Sequence, residues 1–135
     1  MNIVFAISEV EELVKTGGLA DVGKALPLAL KSPEHSVSVF MPYYRAIAEQ
    51  FSLSEACSSQ TLFAESKVYH YAVRQLNWHG IDVYFIDYPE YFDREGLYNS
   101  SYEAYNDNGE RFSFFCGAVL SAIQALGITP DIIHC

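Results

Sequence analysis

The feature that most constrains the fold is an apolar run at residues 3–7, followed by Lys15-Thr16-Gly17-Gly18 and then by a helical pattern from Leu19. A buried strand, a short loop and a helix in this order are typical of α/β proteins. Two adjacent glycines let a ligand approach the backbone because no Cβ stands in the way. The start of a helix adds free N–H groups and the positive end of its dipole. With the charge of Lys15, this segment is predicted to bind a phosphate or diphosphate.

The same glycines also have a structural interpretation, in which the first of them ends a short helix. Ser8 and Glu11 have the S-x-x-E spacing of a capping box, which allows a short helix over residues 9–15. Gly17 would then be the C′ residue of that helix, with Lys15 favourably placed in its last turn. This interpretation leaves the second glycine unexplained, and it is compatible with an anion site.

Residues 18–25 also match part of a different phosphate-binding motif, the P-loop. Gly18 to Lys24 has the G-x-x-x-x-G-K spacing of a P-loop, but Ala25 stands where that motif needs a hydroxyl for Mg²⁺. The residues between the glycines have a helical pattern, so Lys24 is predicted to lie in the helix, away from any phosphate. The dinucleotide fingerprint G-x-G-x-x-G does not occur in the chain.

Composition excludes several classes of function. Half of the 135 residues are hydrophobic and 15% are aromatic, which is typical of a folded domain rather than a disordered chain. A net charge of −9 argues against nucleic acid and anionic membranes as partners. No apolar run is long enough to span a bilayer, and no targeting peptide is indicated. The cysteines Cys57, Cys116 and Cys135 lack metal-binding spacing and are expected as reduced, buried thiols of a cytoplasmic protein.

Strand and helix patterns alternate along the chain. Strands are predicted at residues 2–7, 36–41 and 131–135, with helices at 19–31, 43–51 and 107–126. A hairpin is predicted from residues 67–76 and 81–87 around a turn at 77–80, with 61–65 as a third strand. Leu19, Val22, Leu26 and Leu30 are expected to be the apolar face of the first long helix, which Pro27 should kink.

The last helix has the clearest signals. Asp107 and Glu110 are expected to cap its start, and Gly127 to end it. Its apolar stripe is predicted at Phe112, Phe115, Val119, Leu120, Ile123 and Leu126. Residues 91–105, which precede it, are polar, rich in tyrosine and without a clear period.

Several segments together resemble the bacterial glycogen synthases and plant starch synthases. Residues 8–30, S-E-V-E-E-L-V-K-T-G-G-L-A-D-V-G-K-A-L-P-L-A-L, resemble the N-terminal signature of that family. Further resemblances follow in the family's order: residues 37–44, residues 81–98 with D-x-P-x-x-[FY]-D-R-x-G-x-Y, residues 107–112 with D-N-x-x-R-F, and the strand at 130–135. Glu11 and Glu12 depart from the family's pattern, and residues 50–68 match no part of it.

The resemblance implies a fold and an activity. The fold would be a Rossmann-like three-layer α/β sandwich with an inserted β-hairpin, the N-terminal half of a GT-B glycosyltransferase. Residues 1–135 would be one domain, truncated at its C-terminal end and inactive without the C-terminal domain. The whole enzyme would transfer glucose from ADP-glucose to the non-reducing end of an α-1,4-glucan, with retention and without a metal or cofactor. Alternatives are a non-catalytic glucan- or nucleotide-binding fragment, or a related GT-B transferase that uses UDP-glucose.

The resemblance also implies roles for individual residues. Lys15, Thr16, Gly17 and Gly18 would contact the phosphates of ADP-glucose. Asp21 would lie near the sugars, although its place in the first turn of a helix is also favoured by the dipole alone. Tyr98 would lie on the acceptor side. No residue is assigned as catalytic with certainty, and no metal site is expected.

Other polar residues are expected to have structural places. Arg111 is predicted to anchor the preceding loop to its helix rather than to touch substrate. His134 is expected in the core, and His35, His70 and His79 at the surface or in turns. No Ser, His and carboxylate set has the arrangement of a catalytic triad.

Overall fold

The computed structural model describes residues 1–135, which form one mixed six-stranded sheet with helices packed against it. The elements follow in the order β1 (Asn2–Ala6), α1 (Gly18–Leu30), β2 (Ser36–Pro42), α2 (Arg45–Gln50), β3 (Ser54–Ala64), β4 (Lys67–Trp78), β5 (Ile81–Asp87), α3 (Pro89–Phe92), β6 (Asn99–Ser100), β7 (Glu103–Ala104), α4 (Asn108–Ala125) and β8 (Ile132–His134). Strands β1, β2, β4, β5 and β8 and the three longer helices lie close to where the hydrophobic patterns predict them, whereas β6 and β7 form a separate two-stranded sheet that was not predicted.

The strand order β3-β4-β5-β2-β1-β8 shows how the sheet is built. Strands β5, β2, β1 and β8 run parallel, and β4 and β3 continue the sheet in antiparallel fashion beside β5. The predicted α/β class and hairpin are therefore confirmed. The hairpin is part of the main sheet, and its turn is closed by His79 and Gly80, both with positive φ (51° and 73°), as a two-residue turn between twisted strands requires. Strand β3 begins seven residues before the predicted 61–65.

Helix α4 packs on the sheet through a face that differs from the predicted stripe. Its buried residues are Arg111, Phe114, Phe115, Ala118, Val119, Ala122 and Ile123. Leu120, predicted to be buried, is 55% exposed, because the small Ala118 and Ala122 lie on the side that faces the sheet. The predicted cap is also wrong: no side chain caps the helix, and Asp107 instead accepts two 2.7 Å hydrogen bonds from Arg94. Gly127, with φ 67°, ends the helix as predicted.

Helix α1 buries its small residues most deeply, and of its predicted apolar face only Leu26 and Leu30 pack against the core, where they are partly buried. Ala20, Gly23 and Pro27 are its buried residues, whereas Leu19 and Val22 are about half exposed. A Cβ added to Gly23 would lie 2.3 Å from the carbonyl oxygen of Glu9. At Gly23 the helix therefore lies so close to the preceding loop that a larger residue does not fit, and the predicted face is wrong at Leu19 and Val22.

Three residues expected in the core lie at the surface. Cys116 and Cys135 are exposed, and Cys57 is half-buried, so the thiols are free but not deeply buried. His134 is exposed because β8 is the edge strand of the sheet, and its ring packs on Phe5 at a centroid distance of 4.9 Å. None of the four helices is long and apolar enough to cross a membrane.

Candidate functional site

The loop between β1 and α1 carries the predicted anion-binding residues. It leaves the carboxyl end of β1, the edge of a parallel sheet at which ligands of α/β proteins bind. Residues 9–15 do not form the short helix that the capping-box interpretation predicts; they form a turn closed by a bridge between Val10 and Val14. Gly17 is the N-cap residue of α1 with an extended φ of −160°, so the C′ interpretation of this glycine is wrong.

A buried carboxylate, Glu9, organises this loop and was not singled out from the sequence. Its Oε1 accepts hydrogen bonds from the N–H of Thr16, from Thr16 Oγ1 at 2.9 Å and from the N–H of Gly17 at 3.3 Å. Its Oε2 accepts one from Tyr98 Oη at 2.7 Å. Burial alone would raise the pKa of Glu9, but these hydrogen bonds together hold that pKa below its usual value. The only signal in the sequence is an acidic residue close behind a buried strand.

The start of α1 offers free donors beside the glycine pair. The backbone N–H groups of Gly18 and Leu19 have no acceptor within the chain, as is usual in the first turn of a helix. A Cβ built on Gly17 or Gly18 would meet no atom within 4 Å, so the space next to both residues is open. The N–H of Gly17, in contrast, is already occupied by Glu9. Gly18 and Leu19 are therefore the amides available to an anion.

Lys15 and Asp21 meet at this same surface. Lys15 Nζ lies 2.6 Å from Asp21 Oδ1, and both side chains are about half exposed. The hydrogen bond that Lys15 donates to Asp21 raises the pKa of Lys15, which keeps the ammonium charged. An exposed ion pair contributes little to stability. The ammonium can therefore turn to a bound anion at little cost.

Lys24 is paired with two carboxylates of the loop and not with the glycine pair. Its Nζ lies 2.6 Å from Glu12 and 3.3 Å from Glu11, so the two carboxylates that depart from the family's pattern are paired with it. Glu12 also accepts hydrogen bonds from Trp78 Nε1 at 3.1 Å and lies 2.8 Å from His79 Nε2. The hydrogen bonds from Lys24 and His79 lower the pKa of Glu12 to about 2. As predicted, Lys24 makes no contact with the glycine pair.

Tyr98 is brought to the loop by a long-range contact. Its hydroxyl donates to Glu9 and lies 2.7 Å from Ser8 Oγ. Burial is the largest of the effects that raise the pKa of Tyr98 to about 12, so the phenol stays protonated. The structure therefore unites all six predicted site residues, with Glu9 as the shared contact of Thr16, Gly17 and Tyr98.

Arg111 fixes the segment that carries Tyr98, as predicted. Its fully buried guanidinium donates to the carbonyl oxygens of Tyr91 at 2.7 Å and Leu97 at 3.0 Å, and to Asn108 Oδ1 at 2.7 Å. Asn108 in turn donates to the carbonyl oxygen of Tyr98 at 2.8 Å. Asn108 and Arg111, at the start of α4, thus hold the irregular segment at residues 91–98 in place.

An apolar cavity adjoins the loop. It has a volume of about 260 Å³ and is lined mainly by Phe5, Ile7, Leu19, Val22 and His134, at the carboxyl ends of β1 and β8. The half-exposed Leu19 and Val22 of α1 belong to this cavity rather than to the core. No group of three or more His, Cys, Asp or Glu side chains is arranged to hold a metal ion.

Comparisons with known proteins agree on one family. The family model described as the starch synthase catalytic domain matches residues 2–135. Glycogen synthase from Photobacterium profundum is 45% identical over 137 residues, and that from Aliivibrio salmonicida is 47% identical over 134. The catalytic domain of starch synthase IV from Arabidopsis thaliana, solved bound to ADP and acarbose, superposes with a TM-score of 0.84 over 98% of this chain, at 29% identity. The chain spans 27% of the length of both glycogen synthases and 27% of the solved plant chain.

Proposed function

Because this chain belongs to the starch synthase catalytic domain family, we propose that it is part of the N-terminal domain of a glycogen synthase of the GT-B type. The whole enzyme transfers glucose from ADP-glucose to the non-reducing end of an α-1,4-glucan, with retention of configuration. The remaining part of the enzyme supplies a second domain that closes over the donor. The enzyme works in the cytoplasm, where free thiols such as Cys57 persist.

One observation carries this proposal: two free backbone N–H groups and a lysine in an exposed ion pair lie together beside two glycines. The ammonium of Lys15 and the unpaired N–H groups of Gly18 and Leu19 border open space at the carboxyl edge of the sheet. A diphosphate needs such a cradle, because it brings a concentrated negative charge that backbone amides and a lysine can match. The plant structure holds ADP, a nucleoside diphosphate of this kind.

The same donors suit the chemical step. When the glucosyl bond breaks, negative charge grows on the departing diphosphate, and prearranged donors at that position lower the barrier. Lys15 and the amides of Gly18 and Leu19 supply this stabilisation, so the step proposed needs no metal or other cofactor. Gly17 contributes by the absence of a side chain, and Thr16 by holding the loop to Glu9. Asp21 lies beside Lys15 on the sugar side, and Tyr98 faces the glucan acceptor.

The proposal is tested with radiolabelled nucleotide sugars and glycogen. The full-length enzyme is expected to incorporate label from ADP-glucose much faster than from UDP-glucose. This chain alone is expected to incorporate none, because catalysis requires the second domain to close. Preference for UDP-glucose would refute the donor, absence of transfer from either donor would refute the activity, and transfer by this chain alone would refute the need for a second domain.

A further inference from the structure

We propose that Glu9 is the positioning residue of the phosphate-binding loop: its carboxylate fixes the turn at Thr16 and Gly17, and so determines which donors face the diphosphate. The inference rests on the proposed function, since it concerns the same loop. Glu9 touches neither ADP-glucose nor the glucan; it acts through Thr16, Gly17 and Tyr98, which it holds in place.

The burial of Glu9 shows how strongly its surroundings are organised. Glu9 and Arg111 are the only buried charged residues of the chain, at 3% and 0% exposure. A buried carboxylate is costly unless hydrogen bonds replace its water shell. Glu9 has four such donors, and each of them is thereby held at a fixed place relative to the other three.

The carboxylate also divides the amides of the loop into two groups. The N–H groups of Thr16 and Gly17 point to Glu9, whereas those of Gly18 and Leu19 are left unpaired. Without Glu9, the first two would be free to turn toward the anion, and the loop would sample several arrangements. With Glu9, one arrangement is prepared before the donor arrives, which lowers the entropic cost of binding.

Glu9 joins the loop to the acceptor-side segment as well. Tyr98 donates to the carboxylate oxygen that the loop does not use, so one side chain spans the two parts of the site. The loop donors must reach one carboxylate oxygen while Tyr98 reaches the other, and this depends on the length of the glutamate side chain. An aspartate, shorter by one methylene, keeps the charge but cannot span both.

The test compares Glu9→Gln with Glu9→Asp in the full-length enzyme, because these variants separate reach from charge. Glutamine keeps an oxygen acceptor for Thr16 and Gly17, and its amide can donate to Tyr98. We expect Glu9→Gln to bind ADP within about threefold of the wild type and Glu9→Asp to bind it about 10-fold more weakly, since misplaced groups lose much of their effect. Calorimetric titration with ADP measures this, and the donor KM is expected to follow.

Ser8→Ala is the matched control, because it removes the other hydrogen-bond partner of Tyr98 and leaves every hydrogen bond to Glu9 in place. Its ADP affinity should equal that of the wild type. A residue with a merely structural role would lower the melting temperature and the active fraction, but leave the ADP affinity and donor KM of the folded enzyme unchanged.

The outcomes separate the two proposals. Glu9→Asp binding ADP as the wild type does, or Glu9→Gln binding it as weakly as Glu9→Asp, would overturn the positioning role. Binding of ADP with the expected pattern, but without glucosyl transfer, would refute the proposed function and support the role of Glu9. A wild-type enzyme that does not bind ADP would refute both.

Discussion

Replacing Gly23 by alanine tests the close contact on which the geometry of the site depends. The added Cβ would lie 2.3 Å from the carbonyl oxygen of Glu9 and 2.9 Å from Cδ1 of Ile7. The isoleucine can rotate away, but the backbone carbonyl cannot. Helix α1 must therefore move away from the loop by about 1 Å to reach an ordinary contact distance.

The magnitude follows from two opposing effects. Alanine is favoured over glycine inside a helix by about 1 kcal/mol, whereas overpacking costs about 1–3 kcal/mol. Because the clash is with backbone, we place its cost at the upper end and expect Gly23→Ala to destabilise the chain by about 2 kcal/mol. Urea denaturation followed by the fluorescence of Trp78, the only tryptophan, measures this difference.

Gly109→Ala is the matched control, since Gly109 is also helical and a Cβ there meets nothing within 4 Å. It should leave stability unchanged or raise it by up to about 1 kcal/mol. In the full-length enzyme, Gly23→Ala should also weaken ADP binding, because the shift carries Gly18 and Leu19 away from the loop. A Gly23→Ala chain as stable as Gly109→Ala would show that α1 does not lie against Glu9 as described.

Three further predictions concern other parts of the site. Arg111→Met should destabilise the chain by about 3 kcal/mol in urea denaturation, because two buried carbonyl oxygens and the half-buried Asn108 Oδ1 lose their donor, a loss that relief of the buried charge only partly offsets; unchanged stability would contradict the anchoring role. Glu12→Gln should make stability less dependent on pH between about 5 and 2: the pKa of Glu12 is lowered from 4.5 to about 2, so its contribution is present above pH 4.5 and is lost as the pH falls toward 2. This is measured as the melting temperature of Glu12→Gln and of the wild type at several pH values in this range. Parallel plots of melting temperature against pH would refute the pairing. Gly18→Ala should leave the melting temperature nearly unchanged, since its Cβ meets no atom, but weaken ADP binding about 10-fold or more by blocking the approach of the diphosphate; full affinity would contradict the proposed cradle.

Local patterns were sufficient to predict the sheet and the main helices. The strands β1, β2, β4 and β5 and the glycine that ends α4 are set by neighbours in sequence and are confirmed. The turn predicted at residues 77–80 is confirmed only at His79 and Gly80, because Asn77 and Trp78 still pair with β5. The buried face of α1 was not predictable in this way. It depends on how close the helix comes to the backbone of Glu9, and that contact makes Gly23 a packing residue rather than a break in an apolar stripe.

The site could be predicted only where its residues are adjacent in the chain. The loop at residues 15–18 and the helix after it follow from sequence, and the resemblance to known synthases added Tyr98. Glu9 could not be found, because its importance comes from a contact with Tyr98 across 89 positions of the chain. Likewise, Glu11 and Glu12 appear unfavourable beside a phosphate loop until the structure pairs them with Lys24.

The most direct test of the central claim is calorimetric titration of ADP into the full-length enzyme and its Lys15→Ala and Lys24→Ala variants. Lys15 borders the free amides of α1, whereas Lys24 is held by Glu11 and Glu12. Loss of a charge-assisted contact to phosphate corresponds to about a 10- to 150-fold weaker affinity. We predict this loss for Lys15→Ala, with little change in melting temperature, and nearly unchanged affinity for Lys24→Ala. Loss of binding in Lys24→Ala with full binding in Lys15→Ala would contradict the assignment of this loop to the diphosphate.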